Sequence, residues 1–162
     1  MGLDITAYEQ VIYLRPYDPN HDTQIDYKTE TLLYVNQELP QQSDGMLTGI
    51  YEFRGKPFCF RAGSYSGYNL WRYKLARLGG RTPEKIWQNP QPGPFVELIN
   101  YSDCEGLIGP QTAAKLYRDF QICQQAATTF GRGLDHEDWC LRYNSWMTAC
   151  HLASKEGAIS LH

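Results

Sequence analysis

The chain has 162 residues, 42% of them apolar and 20% charged, with a formal net charge of −3. That balance suits one domain spanning 1–162 with a real core, and it excludes a disordered chain. Net acidity without a Lys/Arg block argues against nucleic-acid binding, which needs clustered cations to neutralise phosphates, and no run approaches the roughly 18 apolar residues of a membrane span.

Residues 3–15 alternate as a strand, with Leu3, Ile5 and Ala7 on one face and Val11 and Tyr13 in phase after a shift. Residues 16–29, with Pro16, Asp18-Pro-Asn20 and Asp22, read as a polar loop. Thr31-Leu-Leu-Tyr-Val35 is a second strand, and residues 38–46 form a loop. Leu47 to Phe53 and Pro57 to Ala62 read as two strands joined in a hairpin at Arg54-Gly-Lys56. Tyr68, Trp71, Leu75 and Leu78 then fall on one helical face, and Gly79-Gly80 ends that helix.

Thr82-Pro83-Glu84 starts a short helix, with Thr as cap and Pro at the first position. The proline-rich run Asn89 to Pro94 stops it, and Phe95-Val-Glu-Leu-Ile99 reads as a strand. Gly109-Pro110 opens a long helix that carries Ala113, Leu116, Phe120, Cys123, Ala127 and Phe130 on one stripe. Gly131-Arg-Gly133 turns the chain into a second helix striped by Trp139, Tyr143, Trp146, Cys150 and Ala153. Ala158-Ile-Ser-Leu161 is a final short strand. Strands first and helices later predict an α+β domain: a mainly antiparallel sheet packed against a C-terminal helical hairpin.

Two constellations can carry chemistry. Arg61-Ala-Gly-Ser-Tyr-Ser-Gly-Tyr-Asn69 sits where a strand turns into a helix. Free N–H groups at Gly63 and Gly67, the hydroxyls of Ser64 and Ser66, and the charge of Arg61 and Arg72 suit a phosphate or carboxylate. Tyr65 or Tyr68 can stack on a base, and Asn69 can bond a ring edge or hydroxyl. The competing reading is a plain turn in which Ser66 caps the helix and no ligand binds. Asn100-Tyr-Ser-Asp-Cys-Glu-Gly106 is the second constellation. Asp103 and Glu105 can accept ribose hydroxyls, ligate a cation or act as acid and base, or they can simply cap a loop.

The remaining chemistry-bearing residues form no complete set. Five cysteines with no CxxC pair point to reduced, mostly buried thiols rather than a zinc site. His21, His136, His151 and His162 lack metal spacing, and no nucleophile triad has a local signature. No cofactor is expected. Asp4 lies in an apolar strand, so it either pairs with Arg54 or Arg61 or faces outward. Met1-Gly-Leu-Asp-Ile-Thr6 runs straight into that strand without a signal peptide. It also fits an N-acylation pattern, against which Leu3 and Ile5 read as core positions.

Met1-Gly-Leu-Asp-Ile5, Phe60 to Asn69 and Tyr101 to Pro110 together resemble a group of small phage and prophage proteins. The resemblance spans most of the chain. It implies a phage or bacterial cytoplasmic setting and assigns no reaction to any residue. With the residues above it leads to an expected function: a non-enzymatic protein that sequesters a nucleotide-derived small molecule as a counter-defence sponge. Its site would hold Arg61, Gly63, Ser64, Tyr65, Ser66, Gly67, Tyr68, Asn69, Asp103 and Glu105, and a homo-oligomer could enclose the ligand. The alternatives are an enzyme on nucleotides or ADP-ribose using Asp103 and Glu105, and an inhibitor of a host defence protein anchored by Trp87 or Tyr17.

Overall fold

The computed structural model describes residues 2–20, 24–133 and 136–162. Met1 of the acylation pattern, and His21 and Asp22, lie outside the described residues, as do the side chains of His136 and Glu137. The strands are β1 (Gly2–Tyr8), β2 (Gln10–Arg15), β3 (Glu30–Leu33), β4 (Gly49–Arg54), β5 (Phe58–Ser64), β6 (Gly106–Ile108) and β7 (Ala158–Leu161). The helices are α1 (Tyr65–Leu78), α2 (Pro83–Gln88), α3 (Val96–Ile99), α4 (Pro110–Gly131) and α5 (His136–Ala153). The α+β class and the α4–α5 hairpin agree with the sequence reading.

The strands form two antiparallel sheets rather than one, ordered β5-β1-β7-β6 and β2-β4-β3. The single strand expected over 3–15 is therefore two strands, and the chain changes sheet at Glu9. Gly157 sits against that crossing: a Cβ there would meet the backbone of Tyr8, Glu9 and Ala153. Only a glycine lets the return into β7 pass so close to the crossing. The Val11 N–H, bonded to the Glu156 carbonyl at 2.9 Å, ties the two segments together.

Two further expectations are corrected. β4 and β5 are not a hairpin, because β4 is flanked by β2 and β3 while β5 pairs with β1. The turn residues marked where the chain bends but not which edge the next strand joins. Residues 95–99 are not a strand either. Phe95 takes φ 59°, its N–H donates to Asp119 Oδ2 at 2.9 Å, and one helical turn follows. A short apolar run has no period long enough to separate strand from buried helix. Gly106–Ile108, to which the sequence reading gave no element, pairs with β7.

In β1, Leu3, Ile5 and Ala7 are buried while Asp4 and Thr6 alternate to the half-exposed face. Helices α1, α4 and α5 contribute Tyr68, Trp71, Leu75, Leu116, Phe120, Trp139, Tyr143 and Trp146 to the same core. Of the five cysteines only Cys150 is buried, while Cys59 and Cys104 are exposed. The expectation of mostly buried cysteines fails because Cys59 falls on the outward phase of β5 and Cys104 in a surface turn.

Candidate functional site

β5 runs into α1 with no loop between them. Ser64, at φ −62° and ψ 159°, is the cap, and its Oγ accepts the Gly67 N–H at 3.1 Å. Ser66, expected as the cap, lies inside the first turn with its Oγ 3.3 Å from that of Ser64. Ser64→Ala should therefore cost about 1 kcal/mol while Ser66→Ala stays within a few tenths. Urea unfolding of the two variants checks this; equal losses would mean that Ser64 is not the cap.

Gly63 adopts φ +127°, and the space a Cβ would fill holds the Arg142 guanidinium, whose Nη1 lies 2.6 Å away. Arg142, on α5, donates to the Ala62 carbonyl at 2.8 Å and pairs with Asp138 at 3.0 Å. The cation beside the α1 start is thus Arg142, a residue the sequence did not single out. Arg61 instead points along the outer face of β5, 3.9 Å from Asp4. Asp4 accordingly has the expected arginine partner and also the outward position.

Two further assignments fail on burial. Tyr68 cannot stack on a ligand, because it is fully buried against Trp71 and Trp146 at centroid distances of 6.1 and 5.9 Å. Burial pushes its phenol pKa well up. Arg72 cannot reach an outside anion, because it is 5% exposed. It donates to the carbonyls of Ile99 at 3.2 Å and Tyr101 at 2.6 Å and to Asn69 Oδ1, and it lies over the Tyr68 ring.

The two motif loops do meet. Asn69 Nδ2 donates to Asp103 Oδ2 at 2.9 Å, and Arg72 lies 3.8 Å from the same carboxylate. The Asn69 bond, then the Cys104 thiol and Arg72, hold the Asp103 carboxyl below its usual range despite partial burial. The Cys104 thiol, donating to Asp103 at 3.3 Å, is pushed up by that bond and then by burial. It is therefore a protonated thiol rather than a nucleophilic thiolate near neutrality. Asn69 and Asp103 thus tie the two motif segments together. The neighbouring Tyr101 hydroxyl clamps Leu107, accepting from its N–H at 2.7 Å and donating to its carbonyl at 2.9 Å. The ring lies where a Cβ on Gly106 would sit, which is why that position is glycine, at φ +150°.

Both motifs reach a common cleft of about 600 Å³, the first through Tyr65 and the second through Cys104 and Glu105. They line it with Tyr8, Tyr27, Tyr34, Thr6, Thr31, Ser160 and His162. An adjoining hollow of about 850 Å³ shares Tyr34, Cys104 and Glu105 and adds Asn36, Glu38, Thr48 and Ser102. β1 and β7 supply Thr6 and Ser160 from the outward phase of their alternation. Tyr27 is 73% exposed and Tyr34 49%, the latter braced edge-on by Tyr17 at 6.3 Å. Tyr8 Oη and Thr31 Oγ1 are 2.9 Å apart, and Thr6 Oγ1 and His162 Nε2 are 3.0 Å apart. Among the described residues the Glu105 carboxylate has no hydrogen-bond or ion-pair partner; its backbone carbonyl accepts from Asn36.

The sequence reading missed Tyr27, Tyr34, Thr6, Thr31 and His162. The one available signal was tyrosine in polar or strand-end positions, where a ring has no packing role to explain it. Among the described residues no group of three His, Cys, Asp or Glu could hold a metal ion, and no helix is long and apolar enough to cross a membrane. Comparison with protein-family models, curated proteins and solved structures finds no match to this chain.

Proposed function

We propose that the protein captures a nucleotide-derived small molecule and holds it without turnover. The observation that carries this reading is the cleft in which Tyr65 and Glu105, one from each motif, stand with Tyr27 and Tyr34. Tyrosine rings offer stacking faces for a heteroaromatic ring. The hydroxyls of Thr6, Thr31 and Ser160 and the Glu105 carboxylate suit a sugar. The capped start of α1, with Ser66 exposed and Arg142 beside it, is the favourable end for a phosphate. Two features support capture over catalysis: Asp103 is tied into Asn69 and Arg72, and Cys104 is kept protonated. In the setting that the phage-protein resemblance implies, the bacterial cytoplasm, such a protein is a counter-defence sponge. A homo-oligomer that encloses the cleft belongs to the same proposal.

Titration calorimetry against mono-, di- and cyclic nucleotides and ADP-ribose derivatives tests it. A ligand should bind and be recovered intact after denaturation. Tyr34→Ala with Tyr65→Ala should weaken it by roughly 100-fold, as two stacking rings at about 1–3 kcal/mol each imply, with unfolding hardly changed. A conversion product in the recovered material would overturn capture in favour of an enzyme. A wholly flat panel would overturn the reading in favour of a protein partner.

A further inference from the structure

The charge around the cleft narrows the ligand, on the premise that the capture reading holds. Glu105 lines both hollows and Glu38 the larger one, while no Lys or Arg is among the described residues lining either. Among those described residues the only ionisable base is the imidazole of His162, already at hydrogen-bond distance from Thr6. A bare carboxylate beside three partly exposed tyrosine rings, Tyr27, Tyr34 and Tyr65, repels an anion. It attracts a cation twice, through its own charge and through the negative faces of the rings. The Tyr34 phenol registers the same field: partial burial raises its pKa first, and the neighbouring Tyr17 phenol and Glu105 carboxylate raise it further. An uncharged base would gain only the stacking.

We infer that the ring held between these tyrosines is positively charged: an N-alkylated heteroaromatic cation, such as a pyridinium or an N7-alkylated purine. Its phosphates, if it carries them, would lie outside the cleft, away from Glu105. A primary ammonium fits less well, because it offers no flat face for the rings and is more strongly hydrated.

Matched ligand pairs test this. Nicotinamide mononucleotide carries a cationic ring when oxidised and a neutral one when reduced; 7-methylguanosine monophosphate and guanosine monophosphate differ in the same sense. Calorimetry should show the cationic member of a pair binding at least about tenfold tighter, the size of a desolvated cation–π contact with a carboxylate added. Glu105→Gln should shrink that ratio severalfold, and circular dichroism should report an intact fold, since Glu105 is exposed. Equal affinity within both pairs would overturn the cationic ring and leave capture standing. So would binding only of anionic nucleotides with neutral bases. No binding by any nucleotide would remove both. A preference for the cation that survives Glu105→Gln would overturn the role given to Glu105.

Discussion

Trp146→Ala should lower the unfolding free energy by about 3–5 kcal/mol, the range for deleting a large ring from a packed core. Trp146 is fully buried on α5. Its ring meets Phe60 of β5 edge-on at 5.4 Å, and lies near-parallel to Tyr68 and Trp71 of α1 at 5.9 and 6.1 Å. One side chain therefore joins the first sheet to two helices that are far apart in sequence. Three large neighbours cannot all collapse into the space it leaves, so the cavity cost adds to the lost burial. For a chain of this length the midpoint should fall by roughly 6–20 °C. Urea unfolding followed by circular dichroism measures it, with the exposed Leu141→Ala as a control expected within about 0.5 kcal/mol. A loss below about 1 kcal/mol would mean that Trp146 does not link the sheet to α1.

Arg72→Met should cost about 2–4 kcal/mol and should loosen the 101–105 loop. The guanidinium serves two backbone carbonyls, Asn69 and Asp103 at once while almost wholly buried. Methionine keeps the stem's packing but leaves those carbonyls without their donor, and an orphaned buried acceptor costs about 1–3 kcal/mol. Asp103 is the exception, since its side chain is 35% exposed and water can replace the lost cation. Hydrogen exchange should speed up at residues 101–105 more than across α4. The acid limb carries the same signature. Because the Asp103 carboxyl is depressed in the folded state, its stabilising contribution is complete above its unfolded value near 3.8 and is lost as pH falls through the lower folded value. Asp103→Asn should therefore flatten the stability–pH curve below about pH 4. An unchanged slope there would show that the Asn69–Asp103 contact contributes nothing.

The candidate site was half legible in the amino-acid order. Gly63 and Gly67 marked a close approach at the strand-to-helix junction, and the close approach is real. What fills it is Arg142, eighty residues from Ala62, whose carbonyl it binds. Tyr65 and Tyr68 look equivalent as letters, but three positions along a helix carry one into the cleft and the other into the core. Asp103 and Glu105 differ for a similar reason. One meets Asn69 and Arg72, while the other, two residues on, is left bare at the cleft.

Residue order alone carried four of the five helices, α1, α2, α4 and α5, with the cap at Thr82, the helix opening at Pro110, the inward phase of β1 and the α+β class. These are local: they follow from periodicity, capping hydroxyls and fixed backbone angles within a few turns of chain. Tertiary structure alone decided that the strands split into two sheets, that 95–99 coils, and that Tyr27, Tyr34, Tyr65, Glu105 and His162 share one cleft. Those outcomes depend on which edge a strand joins and on which distant side chain claims a buried donor, acceptor or space. Partner choice of that kind leaves no period in the sequence, because the energy that selects it lies in contacts between residues tens of positions apart.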